Sequence, residues 1–176
     1  YSISGVAFNP ADTLTVYIDN NIRKAVTISA DPISSISNMH LYENRVIVRH
    51  ENTNPLSIAD MAVWDSSDDG DILFTAVDAG TDTLTLPADQ KLLIWTGKTF
   101  APSGNVTLSG GGGGGAQDGT LEAQANATWR AQNTETHSIA GSMIFGAGAV
   151  FTAGQSTTTL TSTVSGRTVD VNSGAF

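Results

Sequence analysis

The stretch "DSSDDGD", residues 65–71, is where oxygen-bearing side chains are densest in this chain. Carboxylates and hydroxyls at alternate positions before a glycine are how a loop wraps a hard cation. Asp65, Asp68, Asp69 and Asp71 are therefore the candidate ligands of a structural calcium ion. Counted from Asp65, Ser67, Asp69 and Gly70 fall where such a loop wants them, but the twelfth place is Ala76, where an EF-hand needs a bidentate glutamate. An EF-hand is excluded. Asp, Ser and Gly are also ordinary turn formers, so a plain acidic turn is the reading favoured over a calcium site.

Other chemistry is sparser. His40 and His50 are spaced to meet across neighbouring strands, but no third ligand stands at metal-like spacing, and His137 is alone. No serine sits in a Gly-x-Ser-x-Gly elbow. Glu43 and Glu51 form a carboxylate pair of the sort that glycoside hydrolysis places across a sugar, with no supporting motif. A non-catalytic chain is the expectation. Trp64, Trp95, Trp129 and Tyr42 offer flat faces for stacking on sugar rings. Trp95, within "LLIWTGKTF", is expected in the core. Trp129, between Thr128 and Arg130, is expected partly exposed and is the candidate glycan-stacking residue. "NVT" at Asn105 and "NAT" at Asn126 match the glycosylation acceptor pattern.

Elements must hold these residues in place, and composition says which kind. The chain has 176 residues, of which 40% are hydrophobic and only 14% charged, enough apolar material for a core. Thr beside Val and Ile favours a pleated, half-buried surface, so an all-β fold is expected. A net charge of −9 repels a nucleic-acid backbone and an anionic bilayer, which argues against nucleic-acid binding. The absence of cysteine rules out a disulfide scaffold and thiolate metal sites. No run of 18 apolar residues exists, so no membrane insertion is expected. The opening Tyr1-Ser2-Ile3-Ser4-Gly5 lacks the layout of a signal peptide and no methionine begins it, which suggests a processed chain or a piece of a longer one.

Alternating apolar and polar residues predict strands at 3–8, 12–19 and 25–29, with Asn-Pro and Asp-Asn-Asn as turns. These form a small antiparallel unit over residues 1–38, in which Ile3, Val6 and Phe8 are the apolar row that would enter a neighbour's sheet if the segment acts as a donor strand. Residues 44–50 and 92–97 read as strands covered on both sides. Only "SIADMAVW" (57–64) and "LEAQANATWRAQ" (121–132) lean toward helix, and in the second the apolar residues alternate almost as well as they recur at helical spacing.

The remaining region, 39–176, echoes itself. "FTAVDAGTDTLTL" from Phe74, "FAPSGNVTLS" from Phe100 and "FTAGQSTTTLTS" from Phe151 each run Phe, small residues, Gly, then a Thr-Leu strand. The intervals of 26 and 51 residues fit one and two periods of roughly 25, in the range of stacked arrays. A β-solenoid or parallel β-helix-like stack is expected, with an antiparallel β-sandwich as the alternative. Six glycines, Gly110 to Gly115, interrupt the pattern and predict a flexible loop over 109–119. A phosphate loop does not fit, since no Gly-Lys-Ser/Thr follows.

Residues 40–176, from "LYENRVIVRHENTNPLSIADMAVWDSSDDGDILFTA" through "LLIWTGKTFAPSGNVTLSG" to "HSIAGSMIFGAGAVFTAGQSTTTLTSTVSGRTVDVNSGAF", resemble segments of the very large, repetitive, β-rich secreted or cell-surface proteins of bacteria. The first strands are similar to the ends of immunoglobulin-like modules that precede such segments. The resemblance implies a secreted or cell-surface location and a structural or adhesive role with self-association into a polymer, and it carries no catalytic residues. A carbohydrate-binding or host-attachment module, of the kind found in phage fibres, is the alternative, with glycans as partners.

Overall fold

The computed structural model describes residues 4–32, 35–111 and 118–171. They form fifteen strands and one short helix. The strands are β1 (Thr13–Tyr17), β2 (Val26–Ala30), β3 (Arg45–His50), β4 (Thr75–Val77), β5 (Thr83–Leu86), β6 (Lys91–Ile94), β7 (Thr99–Phe100), β8 (Asn105–Leu108), β9 (Thr120–Ala123), β10 (Thr128–Arg130), β11 (Thr136–Ile139), β12 (Met143–Phe145), β13 (Val150–Thr152), β14 (Thr157–Leu160) and β15 (Val169–Asp170); α1 is Ile58–Met61. The fold is all-β, as expected. Three sheets stack their strands in the orders β1-β2-β3-β6-β9-β12-β15, β13-β10-β7 and β14-β11-β8-β5-β4. Only β1 with β2 and β4 with β5 pair antiparallel among the described residues, which argues against the antiparallel sandwich.

From β6 onward the chain visits the three sheets in turn, three times over, and each strand except β7 lies parallel to and in register with the strand one pass earlier, β7 meeting that pass through a single parallel bridge from Phe100 to Leu56. Register is what builds the core. Val26, Val46, Leu92, Leu121 and Met143 stand in one row across the first sheet. Phe100, Trp129 and Phe151 stand in the second sheet, and Leu86, Leu108, Ile139 and Leu160 in the third. All but the last of these residues are buried. Each row places like on like along the stacking direction, so burial is shared between neighbouring passes and no single pass could supply it alone.

The passes are tight at their corners. A Cβ on Gly141 would lie 2.4 Å from the carbonyl oxygen of Gly119, which stands directly beneath it and accepts its N–H at 2.8 Å. At one such corner Gly119 N–H donates to Ser109 O at 2.8 Å, holding together the residues on either side of the glycine-rich stretch. Most of the loop expected at 109–119 lies outside the described residues.

The first passes are closed off differently. β1 runs antiparallel along the outer edge of the first sheet, β4 does the same for the third, and α1 sits between β3 and β4 with Ile58 and Met61 in the core. A capping box starts α1: Ser57 Oγ accepts from Asp60 N–H while Asp60 Oδ2 accepts from Ser57 N–H. The helix expected at 57–64 is thus a single turn. The stretch 121–132 is not helical, because stacking on both neighbouring passes recruits it into β9 and β10. The strand expected at 3–8 is absent over residues 4–8. The boundary expected after residue 38 falls between β2 and β3, which pair in parallel over five residues.

Candidate functional site

The acidic loop does not gather its four aspartates. Asp65 is buried and accepts from Ser67 N–H, Ser67 Oγ and Ala76 N–H, bonds that hold its carboxyl below its ordinary range against the opposing effect of burial. Asp68 accepts from the Asp65 N–H at 2.9 Å, closing a turn. Asp69 and Asp71 instead join Asp19, which sequence spacing could not supply, and one ligand oxygen from each lies within 4.8 Å of the others. Lys24 Nζ stands 2.6 Å from Asp71 and donates to Gly70 O, so a side-chain cation already neutralises part of this cluster. Lys24 and the N–H of Asn20 keep the Asp71 carboxyl below its ordinary range.

Nor do the other candidate groups converge. Glu43 pairs with Arg23 on the surface and Glu51 with Arg49, so the proposed carboxylate pair is tied to two different cations. The imidazole of His50 is fully used: Nδ1 bonds Asn52 O at 2.5 Å and Nε2 accepts from Thr99 N–H at 2.9 Å. His40 does not meet His50. It packs with Tyr42 and Trp95, at ring-centroid distances of 5.6 and 4.8 Å, and Tyr42 lies 6.2 Å from Trp95. Trp95 is thus half-buried beside an exposed tyrosine and not in the core; Arg45 lies over the Tyr42 ring. Two of the four expected sugar-stacking residues therefore do come together, with His40 as a third that the sequence did not flag. Trp64 stands apart and exposed.

Trp129 is a correction. It is 0% exposed, stacked on Phe151 at 5.9 Å and edge-on to Phe100 at 5.6 Å, so no ring face is left for a glycan. The row it belongs to explains why: it occupies the place that phenylalanine takes in the pass on either side. Three residues before each aromatic stands a left-handed turn residue, Gly97, Asn126 or Gly148. That Gly/Asn-x-x-aromatic spacing was the sequence signal for the missing copy of the repeat. Phe74, by contrast, precedes the antiparallel β4 and lies outside this row.

Beside Trp129, and also fully buried, His137 meets the indole edge-on at 4.9 Å. Burial pushes its pKa down to about 4. A histidine near 6.5 in the unfolded chain and about 4 in the folded one leaves folding unopposed above pH 6.5 and opposes it progressively as pH falls toward 4. The loss reaches about 3 kcal/mol at roughly 1.4 kcal/mol per unit. Urea midpoints measured between pH 7.5 and 4.5 are expected to show this decline, and His137→Val to flatten it. An equal decline in the variant would assign the effect elsewhere, with His50, also lowered by burial, the next group to test.

The two ends of the stack differ. β13, β14 and β15 are the outermost strands of their sheets and are all parallel to the strand before them. Around them Leu160 (52% exposed), Val169 (45%), Val150, Val164 and Val171 face outward. A buried clamp steadies this end: Asp118 accepts from Gly111 N–H, Arg167 Nε and Ser162 Oγ, which hold its pKa down to about 2. At the other end Val6 and Phe8 line a groove of about 1540 Å³ with β1 and residues 35–41 of their own chain, and Ile3 lies outside the described residues. No protein family, curated protein or solved structure matches the chain. No helix among the described residues is long and apolar enough to cross a membrane.

Proposed function

We propose that this chain is a non-catalytic structural segment of a secreted or cell-surface fibre, sheath or adhesin, built as a β-solenoid that extends by adding polypeptide to the end formed by β13, β14 and β15. The observation that carries this reading is the contrast between the two ends. Antiparallel strands and a helix cover the first passes, whereas the last pass presents three parallel outermost strands and a fringe of exposed valine and leucine. An outermost strand is a template for pairing, and repeat stacks need a polar cap where they stop. β1 and β4 are themselves the outermost strands at the opposite end, so their free edges can receive the β13–β15 end of another copy, a head-to-tail contact that does not close on itself and propagates into a filament. The hydroxyl-rich β14, "TTTL", suits a wet outer wall and no acid or base chemistry.

Sedimentation and electron microscopy of the purified chain are expected to give elongated particles that lengthen with concentration. Leu160→Lys is expected to reduce that association at least several-fold while leaving the circular dichroism spectrum unchanged. A compact monomer at every concentration would defeat the proposal.

The shelf formed by His40, Tyr42 and Trp95 favours a second reading, attachment to glycans, because an exposed aromatic beside polar side chains suits a sugar ring. Binding on a glycan array that disappears with Tyr42→Ala supports it, and silence on a broad array removes it.

A further inference from the structure

The interior of the stack contains a cluster of polar atoms that the apolar rows do not explain. Among the described residues, Trp129 Nε1, Glu135 Oε1, His137 Nδ1 and Nε2, and Thr158 Oγ1 are all buried without a hydrogen-bonding partner in the protein. These atoms belong together. His137 meets Trp129 edge-on at 4.9 Å, its Nε2 lies 3.8 Å from Glu135 Oε2, and Thr158 is its register partner on the next strand. A gap of 3.8 Å is too long for a direct hydrogen bond and is the separation at which a bridging water has to be considered.

Energy decides the matter. Each buried polar atom left without a partner forfeits the hydration it had in the unfolded chain, and five such losses in one place are more than a marginally stable domain tolerates. The chemistry is complementary: an indole donor, a carboxylate acceptor, a hydroxyl that does both, and a neutral imidazole with one nitrogen of each kind. That set suits water, which needs two to four polar partners, better than an ion. A carboxylate disfavours an anion, and one histidine with one carboxylate is too few ligands for a metal.

We propose that the core between the passes of β10–β11 and β13–β14 holds a permanent internal hydration site, in which water links Trp129 Nε1, Glu135, His137 and Thr158. Comparison within the chain strengthens the assignment. The preceding pass places Phe100 and Val106 where this one has Trp129 and His137, so apolar side chains fit the same stack positions and polarity here is local.

Water-oxygen magnetic relaxation dispersion of the native chain tests this, with Trp129→Phe and His137→Val as variants built from the residues of the neighbouring pass. At least one long-lived water per chain is expected in the native protein, with its signal reduced by half or more in the double variant. A water cross-peak to the indole proton of Trp129 is expected in the native protein as well. A native chain without long-lived water overturns the proposal, as does an undiminished signal in a folded double variant. If the double variant does not fold, the indole cross-peak of the native protein decides: present, it supports the site, and absent, it overturns it.

Discussion

Trp129→Ala is expected to lower the unfolding free energy by about 3–5 kcal/mol, the cost of removing a fully buried aromatic. The ring is held on two sides, by Phe100 and Phe151, and on a third by His137. Neither neighbouring pass can close the space without breaking its own register, so the cavity stays open and the loss falls toward the upper part of that range. For a chain of this length the midpoint temperature is expected to fall by on the order of 10 °C. Trp129→Phe, which restores the residue of both flanking passes, is expected to cost under about 1.5 kcal/mol. Urea unfolding followed by circular dichroism measures both. A loss below about 1 kcal/mol in the alanine variant would mean that the aromatic row does not form part of the core.

Glu51→Ala is the second large effect. Arg49 is almost fully buried on the outer face of β3, where residues 37–38 cover it, and its guanidinium donates to Glu51, Asn38 O and Ser37 O. Ser29 on the neighbouring strand donates to the same carboxylate at 2.7 Å. Removing the carboxylate leaves a buried cation with only carbonyl partners, at a cost of about 3–5 kcal/mol. The double variant Arg49→Met with Glu51→Ala is expected to recover most of that loss, since an apolar side chain needs no partner. If the double variant is as unstable as the single one, the charge is not the reason. Burial alone would raise the Glu51 carboxyl, but hydrogen bonds from Arg49 and Ser29 overcome it and hold the group below its ordinary value. Its contribution is therefore present at neutral pH and lost in acid, below the range in which His137 acts.

The two variants probe different layers of the same design. Trp129 tests whether passes share one core, and Glu51 tests how the segment before β3 is fastened over the first sheet. Neither bears on the proposed assembly, which would rest on the other end of the stack.

Local pattern in the sequence was enough to determine the all-β class, the strands at β1, β2, β3 and β6, and a repeat of about the right length. Alternation and turn residues act over a few positions, and those signals survive in any context. The repeat itself was blurred for a physical reason: 29 residues separate Phe100 from Trp129 but only 22 separate Trp129 from Phe151, because residues 109–119 lie between β8 and β9 where only residues 140–142 lie between β11 and β12, while the strands keep their register. Equal spacing therefore misses Trp129, and its neighbours Thr128 and Arg130 by themselves suggest a partly exposed ring.

Tertiary structure alone decided which acidic groups meet, which aromatic is core and which end is covered. Asp19 reaches Asp69 and Asp71 across fifty residues, and Tyr42 reaches Trp95 with His40 beside it, through pairings that no short window contains. In a chain where every pass leans on the next, the partner of a side chain is set by register between passes, and register is a property of the stack and not of any one stretch of it.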